Sequence, residues 1–234
     1  MNTYKIVHFL LFGILVAFSQ CSQKKESAPL SQEPRSNDEV ATENVTSEPI
    51  ILFFGNSITA GYQLAVEQAF PAVIQGWIDS LGYDYKVVNA GLSGETTASG
   101  KNRIEWVLRT VPDIFILELG ANDGLRGLAL EETPKNLQFI IDAVRKENPE
   151  VQIVIAGMKV PPNLGQDYTR GFEEIFPIIA KKNDAVLIPF ILEKVAGVPE
   201  LNLPDGIHPT PEGHQLVAQT VWKYLQPLLV KSVN

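Results

Sequence analysis

The sequence predicts an α/β fold of three layers, a doubly wound sheet of about five parallel strands with helices on both faces. Three observations carry this expectation. Five short runs are nearly continuous in apolar residues, the pattern of strands covered on both sides. Longer mixed segments that read as helices separate them, and this alternation builds βαβ units. Polar residues suited to chemistry follow the strands, where open α/β sheets gather their functional groups.

Along the chain, residues 1–20 read as a targeting segment. Lys5 precedes an apolar run over 6–18, broken only by His8 and too short to span a bilayer as an ordinary helix. Cys21 follows, and as the sole cysteine it forms no disulfide within the chain. Its position resembles the modified cysteine of a bacterial lipoprotein, with Gln20 and Phe18 where such signals usually carry a small residue and a leucine. A lipid anchor at Cys21 and a periplasmic location are expected, with simple secretion as the alternative. Residues 21–48 are rich in Ser, Glu, Gln, Asn and Pro, with too little apolar surface to offset ordering, and are expected to be a disordered linker.

The folded domain is expected over 49–234. Its strands are IILFF at 50–54, KVVN at 86–89, IFILEL at 114–119, VQIVIA at 151–156 and AVLIP at 185–189. Helices are expected over 64–81, around 103–110, over 134–148 and 168–183, and from about 211 to 228. About 180 residues suffice for one such sheet.

Composition narrows the function. The 234 residues carry a net charge of −8 without long runs of either sign, so the basic stripe that phosphate binding needs is missing and nucleic acid is not an expected partner. Beyond the targeting segment the only histidines are His208 and His214, without a ligand-spaced cluster, so no metal and no cofactor is expected. Glycines between Gly91 and Gly100 precede Lys101, but Gly94 to Gly100 is one residue too long for a phosphate-binding loop, and Asn102 stands where a magnesium-ligating hydroxyl would be.

Two segments carry the chemistry. FFGNSITAGY, residues 53–62, sets Ser57 directly after the first strand, and DGIHPTPEGH, residues 205–214, sets Asp205 and His208 three positions apart on a turn. A serine hydroxyl becomes nucleophilic when a base within reach takes its proton, and that base works best when a third group holds its tautomer. Ser57, His208 and Asp205 are the residue types this requires. An α/β-hydrolase would use the same three types, but no G-x-S-x-G elbow is present. His214 falls within the final helix and is left outside the site.

With NAGLSGETTASG at 89–100 and LGANDGLRG at 119–127, these segments make four blocks in order, and the chain over about 49–229 resembles the SGNH, or GDSL-like, hydrolase family. MKVPPNLGQDYTRGF at 158–172 is most similar to its periplasmic multifunctional thioesterase, lysophospholipase and arylesterase subgroup. The resemblance implies the flavodoxin-like form of the sheet and a serine esterase acting on small acyl esters and thioesters. It implies Ser57 as nucleophile, His208 as base, Asp205 as its orienting acid, and an oxyanion hole from the backbone amides of Ser57 and Gly94 with the side-chain amide of Asn122. A carbohydrate O-deacetylase of the same superfamily is the runner-up, and a non-catalytic surface-binding lipoprotein a further alternative. One position departs: where the family usually has aspartate beside the nucleophile, this chain has Asn56.

Overall fold

The computed structural model describes residues 48–231. The expected targeting segment and Cys21 lie outside the described residues, as does all of the expected linker but residue 48.

The strands form where expected: β1 Ile50–Gly55, β2 Lys86–Asn89, β3 Ile114–Glu118, β4 Gln152–Ala156 and β5 Val186–Ile188. All neighbours pair in parallel, in the order β2-β1-β3-β4-β5. β1 and β3 are fully or almost fully buried, which accounts for the unbroken apolar run of β1 and of β3 up to Glu118. The flavodoxin-like order reverses direction between β1 and β3, and that switch point opens a crevice beyond the carboxyl ends of the strands.

The long helices are α2 Phe70–Ser80, α3 Thr97–Val107, α5 Glu132–Glu147, α6 Gln166–Lys182 and α7 Pro211–Leu225; two short ones, α1 Ser57–Ala60 and α4 Ala121–Leu125, follow β1 and β3. α2 and α7 pack together on one face of the sheet, while α3, α5 and α6 pack in series on the other. The period of two along β1 divides its aromatic residues between these layers. Phe53 meets Phe70 of α2 edge-on at 5.4 Å, whereas Phe54 lies under the guanidinium of Arg103 from α3 at 4.5 Å.

Two helices differ from expectation at their starts. The segment expected to be helical from 64 opens as a single 3₁₀ turn, Val66–Gln68, and the α-helix begins only at Phe70, with Pro71 in its first turn, where the missing amide costs nothing. α3 begins two turns earlier than expected. Thr96 caps it by accepting from the Ser99 amide, and Gly100 is tolerated inside because the helix there presses on Leu119 and Phe54.

Candidate active site

The site grows from the ends of the three adjacent strands β2, β1 and β3. After Gly55 the chain turns sharply. Asn56 caps α1 by accepting the Ile58 amide on Oδ1, and Ser57 becomes the first helical residue. The cap is therefore Asn56 rather than Ser57, and the serine hydroxyl is left for other partners.

One such partner comes from 151 residues downstream: Ser57 Oγ lies 2.9 Å from His208 Nε2, and His208 Nδ1 lies 2.8 Å from Asp205 Oδ2. The turn that presents the pair is built by the same carboxylate. Asp205 Oδ1 accepts the backbone amides of Ile207 and His208, at 2.9 and 3.0 Å, and leaves Oδ2 for the imidazole. Thr210 then caps α7, with Pro211 at its first position.

Burial alone would raise the Asp205 carboxyl, but the donors on it, led by the His208 and Ile207 amides, outweigh burial and hold it down at about 2. An ionised carboxylate only accepts, so Nδ1 carries the ring proton and Nε2 of the neutral ring is free to accept from Ser57. Tyr62 lies against the His208 ring at 4.3 Å, limiting the orientations open to it.

Gly94 and Asn122 lie on segments that hydrogen bonds join, the loop after β2 and α4. Gly94 adopts φ +81°, a conformation that disfavours a side chain. Its carbonyl accepts from Arg126 at 3.1 Å, and the next carbonyl, of Glu95, accepts from Asn122 Nδ2 at 3.0 Å. These bonds tie the loop after β2 to α4. An amide nitrogen has two hydrogens, so the bond to Glu95 orients Asn122 and leaves it one further donor. Glu95 is itself held by Arg103 at 2.7 Å.

Ser57, Asn122 and His208 open into a cavity of about 540 Å³, whose other walls include Ile58, Leu125, Met158, Val160, Phe190, Leu192 and Ile207. Gly94 is not among its lining residues. A mostly apolar cavity with a few convergent polar groups is the usual form of a small-molecule site. Among the described residues no group of three or more His, Cys, Asp or Glu side chains could hold a metal ion.

A family model described as GDSL-like lipase/acylhydrolase matches residues 53–216, which include every residue named in this site. The chain belongs to the GDSL-like lipase/acylhydrolase family. Esterase TesA of Pseudomonas aeruginosa is 37% identical over 180 residues, covering 76% of this chain and 89% of that protein. Thioesterase 1/protease 1/lysophospholipase L1 of Escherichia coli is 35% identical over 180 residues, covering 76% and 84%. The crystal structure of TesA superposes with a TM-score of 0.73 at 36% identity, covering 77% of this chain and 99% of the other. As a member of this family the chain is an ester hydrolase.

Sequence reasoning missed three residues that shape the site: Glu118 ends an apolar strand, and Tyr62 and Arg126 sit in loops or helix ends. His214, which it left outside the site, packs inside α7. His214 is buried, and its Nδ1 accepts the Phe70 amide at 3.1 Å. Burial, then the nearby His208, lowers it to about 4, so it is a neutral structural histidine. Only Glu118 left a signal that could have been used: one acid in a strand otherwise buried on both faces.

Proposed function

We propose that the chain hydrolyses acyl esters, and thioesters as a second class, through an acyl-enzyme on Ser57. Ser57 Oγ attacks the acyl carbonyl carbon while its proton passes to His208 Nε2, and the carbonyl electron pair moves onto oxygen. Collapse of this oxyanion expels the alcohol or thiol, which takes the proton from Nε2. Water then repeats the sequence and releases the carboxylic acid. Asp205 holds the imidazole and offsets its charge, and the Ser57 and Gly94 amides with the Asn122 side chain receive the oxyanion.

The observation that supports this reading is the unbroken relay from Asp205 through His208 to Ser57, opening into an apolar cavity. The apolar walls favour an acyl chain over a sugar, which speaks against the carbohydrate deacetylase. The test compares a medium-chain aryl ester, the matching thioester and an acetylated sugar. Wild type should prefer the first two, and Ser57→Ala should lose at least about 10³-fold in turnover on both. Preference for the sugar, or a Ser57→Ala variant within tenfold of wild type, would overturn the reading.

The protein is also proposed to be exported to the periplasm and held at a membrane through acylated Cys21. Support comes from Lys5, the apolar run over 6–18 and the placement of Cys21. Among the described residues no helix is long and apolar enough to cross a membrane. Cys21→Ser should move the protein from the membrane fraction to the soluble one, and an unchanged distribution would contradict the anchor.

A further inference from the structure

Beneath the serine lies an acid to which the hydrolytic steps give no task. Glu118 ends β3 in register with Gly55 of β1 and is 1% exposed. Its Oε1 accepts from Asn56 Nδ2 at 2.6 Å. Its Oε2 accepts from the Asn56 amide at 3.1 Å, the Thr59 amide at 3.3 Å and Thr59 Oγ1 at 2.8 Å. All four donors are neutral, so the carboxylate is buried on hydrogen bonds alone. Burying such a group is costly, and where it persists it calls for a reason. Burial raises its carboxyl to about 7, against the lowering effect of these same donors.

The reason lies in the two ends of the Asn56 amide. Glu118 takes Nδ2, which turns Oδ1 toward the serine: it accepts from the Ile58 amide at 2.9 Å and lies 3.4 Å from Ser57 Oγ. Flipping the amide would set its NH₂ against the Ile58 amide, a donor facing a donor, and would undo the cap of the helix that carries Ser57. Glu118 thus decides which face Asn56 shows to the first turn of α1, and through Thr59 it also grips the rest of that helix.

Resting on the assignment of Ser57 as nucleophile, we propose that Glu118 is a positioning residue of the hydrolytic site, acting through the Asn56 amide and its cap of α1 to hold the first residue of that helix, Ser57, in place against His208. The chemistry of an acid at position 56 sharpens the point. An aspartate there would set two carboxylates within hydrogen-bond distance, and one would have to keep a proton. Asparagine supplies that hydrogen covalently, so Asn56 and Glu118 form a matched donor and acceptor pair.

The test is a swap, read at about pH 8, where the wild-type Glu118 carboxyl is ionised, as kcat and KM on an aryl ester and as the rate of serine labelling by a fluorophosphonate, each per folded protein. Glu118→Gln puts a donor among donors and should lower kcat by about 10- to 100-fold, the cost of a small misplacement of a reacting group, with KM within about twofold. Labelling should slow in parallel. The double variant Asn56→Asp with Glu118→Gln restores one donor and one acceptor, now reversed, and should recover at least about tenfold of the lost kcat.

A folded Glu118→Gln with wild-type kcat would overturn the proposal. So would a deficit that the double variant leaves unrepaired, because Glu118 would then act other than through Asn56. If Glu118→Gln does not fold, the comparison moves to the double variant against Asn56→Asp alone: higher kcat in the double supports the pair and equal kcat overturns it. Failure of the nucleophile assignment looks different, because Ser57→Ala would then retain activity and wild type would not label at Ser57.

Discussion

Glu118 and His214 are buried ionisable side chains whose opposed titrations set how stability responds to pH. Glu118 has a folded-state value of about 7 against an ordinary 4.5, so between them the folded chain binds more protons than the unfolded one. Stability from this group is full below about 4.5 and is lost as pH rises through 7. His214 runs the other way: its value falls from 6.5 to about 4, so its contribution is present above 6.5 and is lost as pH falls toward 4. Each shift is worth on the order of 3 kcal/mol, so the two nearly cancel across the shared window. Glu118→Gln removes one side of the balance. Urea unfolding of the variant minus that of wild type should therefore give a difference that grows in the variant's favour as pH rises from about 4.5 to 7. A difference independent of pH would mean that Glu118 does not titrate in this range.

At the scale of elements, the loop after β2 is held against α1 by close backbone contact. A Cβ on Gly91 would fall on the Ala60 amide nitrogen and the Thr59 carbonyl carbon, far inside contact distance. Neither can move without shifting Ser57 or its neighbours. Gly91→Ala should cost about 1–3 kcal/mol of stability and lower kcat in the protein that remains folded, measured by urea denaturation and ester hydrolysis. A variant with unchanged stability and rate would show that the loop and α1 are not in register. The elements themselves were largely legible in the sequence. β2 was placed to the residue, because its two valines are flanked by the polar Lys86 and Asn89, with Asp84 and Gly91 just beyond. The first turns of α3 were not, because Ala98, Ser99 and Gly100 carry no apolar period, and the capping bond of Thr96 shows only in three dimensions. The triad types were legible from their segments, whereas Glu118 showed only as a lone acid in an apolar run, since its meaning comes from Asn56 and Thr59 across a strand boundary.

At the scale of the whole molecule, the order of the strands brings the site together, and no local pattern in the sequence encodes that order. With β1 and β3 adjacent and β2 outside β1, the loops after all three strands converge on the switch point. The turn before α7 adds Asp205 and His208 from the far end of the chain. The central claim is that this convergence activates Ser57, and adduct mapping after reaction with a fluorophosphonate tests it most directly. One equivalent should attach to Ser57, be absent from Ser57→Ala, and form much more slowly in His208→Ala, which lacks the base. Hydrolysis that proceeds in wild type with no adduct, or with the adduct on another residue, would contradict the account.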